Sequence, residues 1–408
     1  MQNYKSFQFL IPAIPFNKSI MSHGKGSYLY DTEGQKYLDL NAGQFCTVLG
    51  HSNSEIMDCI WKSAETLVHT STSIISSEVL SCAKNLHRIS GDMKASCILL
   101  STGAEVVEFC LRYAKCIQQK NGIVCFDKGY HGLTLGAQSI TFSGIYAKPN
   151  VQETYTIPLP EDDKSDLSLK NVEILFKNNE IAAIILEPIV SVGGMIFPSA
   201  EWFHKVRELC DQYQVLLVLD ECQTGFGRTG NWFAYQTYNF IPDMVATAKG
   251  IGLGFPVAIA MFRDKLIPQE NIYPITHYSS HQNDSLSAAI INIGIEYIEK
   301  HSILADIQAK AVYFLQQLKK LEQRTHHVRN ARGCGLMLGI DLFYENTDDY
   351  RNIYDSIYQK MMDSGVIIQG TNGGRTLRFL PDYLITHTDI EFAIEQLYKV
   401  IQQQRPVN

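Results

Sequence analysis

The chain has 408 residues, of which 45% are apolar and 19% are charged. This length exceeds the roughly 100–200 residues of a single domain, and the composition excludes a disordered tail or a collagen-like fibre. The formal charge of −7 gives no basic field that would attract nucleic acid or an anionic membrane. We therefore expect a small molecule as the partner.

The cysteines and the N-terminal segment bear on location. The ten cysteines include no C-x-x-C pair, and several lie in apolar runs, as is typical of reduced thiols packed in a cytoplasmic protein. The apolar stretch near the N-terminus is short and is interrupted by Pro12 and Pro15, which is not typical of a signal peptide or a membrane span. The prediction is a cytoplasmic protein.

The predicted elements begin with two short strands around a turn at residues 32–34. From about residue 96 to 260, apolar runs alternate with amphipathic segments, which predicts an α/β fold with a parallel sheet covered on both faces. Ligands bind at the carboxyl ends of such strands. The predicted strands are 97–100, 123–126, 182–186, 215–219 and 244–247, and the helices include 104–118 and 202–213.

From about residue 296 the pattern changes and predicts a separate α+β lobe. Helical periodicity covers residues 302–323, 349–364 and 388–404, and strands are expected near 335–342 and 376–380.

Two residues at predicted strand ends carry the chemistry. Asp220 follows five apolar residues, and Lys249 precedes a glycine-rich turn. An acid that holds a pyridinium nitrogen and a lysine that forms a Schiff base are the pair that a pyridoxal phosphate enzyme requires. Taken singly, Asp220 could cap a turn and Lys249 could be solvated.

A third feature is a predicted phosphate cup. The segment Ser-Thr-Gly-Ala-Glu (residues 101–105) leads from a strand into a helix, so the backbone amides of Gly103 and Ala104 and the helix dipole face one point. An ordinary helix N-cap at Thr102 is the alternative interpretation. The three features occur together at strand ends, which favours function.

These motifs resemble the class III pyridoxal-phosphate-dependent aminotransferases over nearly the whole chain. The resemblance implies the aspartate aminotransferase-like fold (PLP-dependent transferase fold type I), with a mostly parallel seven-stranded sheet, and an obligate homodimer. It also implies a large cofactor domain at 46–295 and a small domain from 1–45 and 296–408. The motifs that carry it are residues 99–105, 130–132, 187–189, 219–230, 242–243, 248–250 and 377–381.

By this resemblance, Lys249 forms the Schiff base with the cofactor, Asp220 pairs with the pyridine nitrogen, and Gln223 bonds the phenolic oxygen. Tyr130 would stack on the ring with His131 beside it. The expected cofactor-binding set is Thr102, Gly103, Ala104, Tyr130, His131, Glu187, Asp220, Gln223, Lys249 and Ser280.

Residues 43–51 and 279–286 are most similar to dialkylglycine decarboxylase. That similarity implies a substrate-binding role for Gln44 and contact of Ser280 with the phosphate of the partner subunit's cofactor. It also matches an alkali-ion site, for which a helix-start Asp is the plainer interpretation. The residues at that ion site are Thr70, Thr72, Ser280, Gln282 and Asp284.

The sequence also departs from the family's patterns. Val192 stands where many of these aminotransferases carry a glutamate that neutralises the carboxylate-binding arginine, so Arg378 would be available for a substrate carboxylate. A surface ion pair is the alternative for Arg378. The decarboxylase has serine at position 192 and tryptophan at 130, and Ser285 replaces a common proline.

The leading hypothesis is an aminotransferase that moves an amino group between an amine or amino acid and an oxo acid or aldehyde. A decarboxylase-transaminase and an amino acid racemase or epimerase use related chemistry and stay open. The segment 225–230 fits G-x-G-x-x-G, but it neither starts at the strand end nor opens a helix, which argues against a nicotinamide oxidoreductase. A cofactor-binding member without turnover has no support in the sequence.

Overall fold

The computed structural model describes residues 9–11, 13–17, 19–142, 152–161, 164–267, 275–345, 347 and 349–404. Its strands are β1 (Met21–Lys25), β2 (Tyr28–Asp31), β3 (Lys36–Asp39), β4 (Ser96–Leu100), β5 (Gly122–Phe126), β6 (Thr154–Ile157), β7 (Ile181–Leu186), β8 (Leu216–Asp220), β9 (Met244–Thr247), β10 (Ala258–Phe262), β11 (Val328–Cys334), β12 (Met337–Leu342), β13 (Val366–Ile367), β14 (Gln369–Thr371) and β15 (Thr376–Phe379).

Helices surround these strands. They are α1 (Ala42–Phe45), α2 (Ser54–Thr66), α3 (Ser77–Ile89), α4 (Gly103–Gln118), α5 (Leu135–Ser139), α6 (Ser165–Asn178), α7 (Ala200–Tyr213), α8 (Ala234–Tyr238), α9 (Ser285–Lys300), α10 (Ile303–Arg324), α11 (Tyr350–Asp363) and α12 (His387–Gln402). Among the residues described, no helix is both long and apolar enough to cross a membrane.

The central sheet has seven strands in the order β4-β10-β9-β8-β7-β5-β6. Strand β10 runs antiparallel to β4 and β9, and the other neighbouring pairs are parallel. Every residue of β5, β7, β8 and β9 is buried, because these strands are apolar except for Asp220 and Thr247 at the ends of β8 and β9, and helices cover both faces. The predicted mostly parallel seven-stranded sheet is thus confirmed.

The two ends of the chain meet in a smaller sheet of order β1-β2-β3-β13, in which β13 pairs in parallel with β3. A third sheet has the order β11-β12-β15-β14 and is wholly antiparallel. The proposed domain boundaries at residues 45 and 295 stay a prediction, and helix α9 runs through residue 295.

The predicted elements lie within a few residues of the observed ones. Strands β6 and β10 of the central sheet and helix α9 were not predicted; β10 lies between β4 and β9, and α9 packs against α2 and α3. Residues 1–8 and Pro12, on which part of the N-terminal prediction rests, lie outside the described residues.

Candidate active site

A cavity of about 1130 Å³ opens at the carboxyl ends of the parallel strands. All the residues predicted from sequence for the cofactor and the substrate line it, except Ser280. The lining set includes Gln44, Thr102, Gly103, Ala104, Tyr130, His131, Glu187, Asp220, Gln223, Lys249 and Arg378.

Asp220 is the last residue of β8 and lies at the floor of the cavity, 6% exposed. One carboxylate oxygen pairs with Nδ1 of His131 at 2.8 Å, and the other accepts the backbone N–H of Cys222 at 3.0 Å. Burial alone would raise the pKa of this carboxyl, but the hydrogen bond and charge of His131 outweigh it and hold the pKa below its usual value. Asp220 is therefore a fixed anion at neutral pH.

Lys249 follows β9 and begins a 3₁₀ turn. Its backbone has φ of +52°, a left-handed conformation that is uncommon for a residue with a side chain. Such strain is typical of functional sites, where surrounding packing enforces it. With this backbone conformation, Lys249 lines the cavity together with Asp220.

The predicted phosphate cup is the start of helix α4. Thr102 is the N-cap, and its hydroxyl accepts the N–H of Glu105 at 3.2 Å. The Glu105 carboxylate accepts the N–H of Ser101 at 2.9 Å. These bonds stabilise the first turn, where backbone N–H groups have no acceptor within the helix, and Gly103 and Ala104 of this turn line the cavity. The helix N-cap and the predicted phosphate cup are therefore the same segment, so the two interpretations do not exclude each other.

The loop after β5 brings Tyr130 and His131 into the cavity. The N–H of Tyr130 donates to Oε1 of Glu187 at 2.9 Å, so the loop is tied to the end of β7. Gly132 has φ of +122°, and a Cβ there would lie 2.7 Å from Cβ of Ala104. Only glycine therefore lets this loop cross the start of α4. Burial raises the pKa of Glu187 to about 7.

Gln223 and Cys222 follow Asp220 on the cavity wall. Within the part of the chain that the structure describes, the side-chain oxygen of Gln223 is buried without a hydrogen-bond partner. Burial raises the pKa of the Cys222 thiol well above its usual value, and Asp220 adds to that shift. Cys222 is therefore a neutral packing residue, as expected.

Arg378 lies at the other end of the cavity on β15 and is 4% exposed, which contradicts the surface ion-pair alternative. Its Nε and Nη2 donate to Oε1 of Gln369 at 3.1 and 2.6 Å, and its Nη1 donates to Oγ of Ser191 at 2.7 Å. The guanidinium carbon lies 4.8 Å from the centre of the Phe45 ring. Sequence reasoning missed Gln369 and Ser191, although the β14/β15 pairing places Gln369 directly opposite Arg378.

Gln44 enters the cavity on a left-handed turn. Residues 42–45 all have positive φ, from +43° to +71°. Asp39 holds the turn, because its carboxylate accepts the N–H groups of Asn41 and Gly43 at 2.9 and 2.7 Å. His51 pairs with the same carboxylate at 2.9 Å. No local sequence signal predicted this turn.

Ser280 is exposed and does not line the cavity. Near it, Thr72 donates to the carbonyl of Ser279, and Asp284 caps α9 by accepting the N–H of Ser287 at 2.9 Å. The other oxygen of Asp284 pairs with His69 at 2.6 Å. The alkali-ion site at Thr70, Thr72, Ser280, Gln282 and Asp284 stays a prediction.

The comparison with known protein families decides the class. The model of the family "Aminotransferase class-III" matches residues 15–401. The chain belongs to this family. It is an enzyme, a transaminase, and its cofactor is pyridoxal phosphate, as these residues predicted.

Relatives of known activity agree. The chain is 32% identical to a [LysW]-aminoadipate semialdehyde/glutamate semialdehyde transaminase of Sulfolobus acidocaldarius, with 91% of each chain covered. It is 30% identical to an acetylornithine aminotransferase of Archaeoglobus fulgidus, with 93% of this chain and 94% of the relative covered.

Solved structures share the fold. A transaminase from the marine bacterium Virgibacillus superposes with a TM-score of 0.91 at 20% identity, over 98% of both chains. An aminotransferase of Vibrio fluvialis with bound PMP has a TM-score of 0.86 at 20% identity, over 94% of this chain and 92% of the other.

The oxidoreductase alternative also fails on geometry, since the next helix after residues 225–230 begins only at Ala234.

Proposed function

We propose that Lys249 and Asp220 are the catalytic residues of this transaminase and that the cavity holds pyridoxal phosphate between them. The convergence of a lysine, a buried anionic aspartate and a helix start on one cavity carries the proposal. The lining fits the cofactor: Gly103 and Ala104 offer backbone N–H donors to a phosphate, and Gln223 offers a side-chain amide whose buried oxygen, a hydrogen-bond acceptor, has no partner among the described residues.

The bound cofactor would supply an electron sink that stabilises negative charge on the substrate carbon. Asp220 is an anion at neutral pH and keeps a proton on the pyridine nitrogen, while His131 fixes the orientation of the carboxylate. The amine of Lys249 would hold the cofactor through a Schiff base and, when free, would accept the proton of the substrate carbon. Tyr130 lines the same cavity and would lie against the ring.

We propose further that Arg378 binds a substrate carboxylate and that Gln44 contacts the substrate beside it. A guanidinium can donate two parallel hydrogen bonds to a carboxylate. The relatives' names specify aminoadipate semialdehyde, glutamate semialdehyde and acetylornithine, which are derivatives of amino acids and carry carboxylates. We infer an amino-acid type of substrate for this chain as well.

A homodimer is proposed as the working unit, with Ser280 reaching the phosphate of the partner subunit's cofactor. Large apolar side chains are exposed on α2, on α3 and on the segment between them, next to the segment that contains Ser280. A second copy would cover this surface. The exposed residues are Trp61, Leu67, Val68, Ile74, Ile75 and Leu80.

The proposed location is the cytoplasm. All ten cysteines have free thiols, which is typical of a reducing compartment.

We also propose that residues 1–45 and 296–408 form a small domain.

The deciding experiment mixes the purified protein and pyridoxal phosphate with a panel of amines and amino acids. We expect an absorbance band near the visible edge that disappears on addition of a substrate. Assays for carbon dioxide and for racemised amino acid run in parallel, and release of either product would select a decarboxylase or a racemase instead. Absence of the band after added cofactor would contradict the proposed site.

A further inference from the structure

In the part of the chain that the structure describes, the buried guanidinium of Arg378 bonds neutral acceptors only. Its bonds go to the amide oxygen of Gln369 and to the hydroxyl of Ser191. Within the described part of the chain, no carboxylate forms an ion pair with it, and Glu187 is the one carboxylate that acts on its pKa from further away. Among the described residues, Arg378 is therefore a cation without a counterion.

Backbone register fixes this arrangement. Gln369 on β14 is the direct cross-strand partner of Arg378 on β15. Val192, on the facing loop, is apolar at its side chain, and its carbonyl accepts bonds from Thr371 and Asn372. Because the side chains of Gln369 and Val192 are both uncharged, neither residue can supply a negative charge to Arg378.

The guanidinium also keeps donors for a ligand. It has five N–H groups, and three of them donate to Gln369 and Ser191. One N–H therefore remains on Nη1 and one on Nη2, and such a pair matches the two oxygens of a carboxylate. A ligand without an anionic group would remove water from the guanidinium and would supply neither a countercharge nor hydrogen-bond acceptors in its place.

We propose that Gln369 makes a carboxylate obligatory in both half-reactions: the amino donor and the amino acceptor each place a carboxylate on Arg378, and amines without one are poor substrates. This inference rests on the proposed binding of a substrate carboxylate by Arg378. A glutamate at position 369 would neutralise the guanidinium internally and would compete with that carboxylate.

The test uses the holoenzyme and pairs of amino donors that differ only in the carboxylate: L-alanine and ethylamine, L-norleucine and pentylamine, L-ornithine and 1,4-diaminobutane, and L-lysine and 1,5-diaminopentane. Loss of the cofactor's absorbance band gives the rate of the first half-reaction. We expect the wild type to prefer the amino acid of at least one pair by about 100-fold or more, the equivalent of one or two charge-assisted hydrogen bonds. Equal or faster reaction of the amines would overturn the proposal.

Two variants separate charge from structure. Gln369→Glu should reduce kcat/KM for the amino acids by about 10- to 100-fold and should increase it for the matching amines. Gln369→Leu removes the same hydrogen bonds without adding charge, so it should weaken amino acid binding and bring no gain with amines. If both variants behave alike, Gln369 is only structural and the proposal fails.

Failure of the underlying assignment would be recognised separately. If Arg378→Met leaves KM for the amino acids unchanged, the carboxylate binds elsewhere and the proposed function of Arg378 is wrong. If Arg378→Met raises that KM but Gln369→Glu brings no gain with amines, Arg378 binds the carboxylate and only the role of Gln369 is wrong.

Discussion

The two ends of the cavity are built differently. At the cofactor end, Asp220 is an anion paired with His131, and Asp220, Lys249 and Thr102 lie at or just after the ends of strands of one sheet. At the substrate end, Arg378 has the neutral partners Gln369 and Ser191, and these three residues come from three separate segments of the chain. In the first arrangement the charged group has its partner within the protein, whereas the second leaves a charge that a ligand must satisfy.

Replacement of Lys249 with alanine is the strongest test of the cofactor end. We expect turnover to fall by at least about 1,000-fold, because the residue is proposed as both the covalent anchor and the proton carrier. Steady-state turnover and the absorbance spectrum check this. The control is Lys205→Ala, which removes an exposed helix lysine paired with Glu201 and should leave both unchanged. Full turnover by Lys249→Ala would refute the assignment.

Replacement of Arg378 with methionine tests whether the two ends are independent. We expect kcat/KM for a carboxylate substrate to fall by about 100-fold or more, from the loss of a bidentate charge-assisted pair. The cofactor absorbance should be unaffected. Arg332→Met is the control, since Arg332 also bonds the 194–195 loop but does not line the cavity. Loss of the absorbance band in Arg378→Met would mean that the ends are coupled.

Glu187 lies between the two ends and gives a pH-dependent test. Burial raises its pKa to about 7 in the folded protein, against about 4.3 in an unfolded chain. A raised pKa means that the folded state favours the proton, so this contribution to stability is complete below about pH 4 and is lost as the pH rises through about 7. Glu187→Gln lacks the effect and keeps an acceptor for Tyr130.

We therefore expect the free energy of unfolding of Glu187→Gln, relative to wild type, to increase by at most about 3 kcal/mol between pH 5 and pH 8. Urea unfolding of the holoenzyme at both pH values measures it. The exposed Glu173→Gln serves as control and should show no such trend. A relative stability that falls with pH would contradict the assigned protonation.

How well each end could be predicted follows from its construction. Asp220, Lys249 and Thr102 stand where an apolar run stops, and that is a local signal in the sequence. Gln369 and Ser191 reach Arg378 through strand register and a loop 187 residues away in the chain, and neither has a local signal. The sheet was therefore predictable in class and in five of its seven strands, but strands β6 and β10 and the partners of the substrate arginine were not.

The left-handed turn at residues 42–45 tests the positioning of the substrate end. Asp39→Ala removes the acceptor for two backbone N–H groups, so KM should rise by about 10-fold while the cofactor spectrum stays the same. Asp31→Ala is a matched control in the same sheet: its carboxylate accepts the N–H groups of Glu33 and Gln35 in a turn outside the cavity. The two variants should lose similar stability. An equal change of KM in both would show that Asp39 has no specific effect on the site.

Replacement of Cys222 has the smallest expected effect, and it tests whether the wall beside Asp220 takes part in the chemistry of the cofactor end. It lies between Asp220 and Gln223 on the cavity wall, and burial keeps its thiol protonated, so it offers neither a nucleophile nor a charge. Cys222→Ala should keep turnover within about 3-fold of wild type and lose about 1–2 kcal/mol of stability, as for other buried groups made smaller. Cys210→Ala, buried on α7 away from the cavity, should lose a similar amount. A large loss of turnover in Cys222→Ala alone would mean that the wall beside Asp220 takes part in the reaction, and the cofactor end would then require more than its strand-end residues.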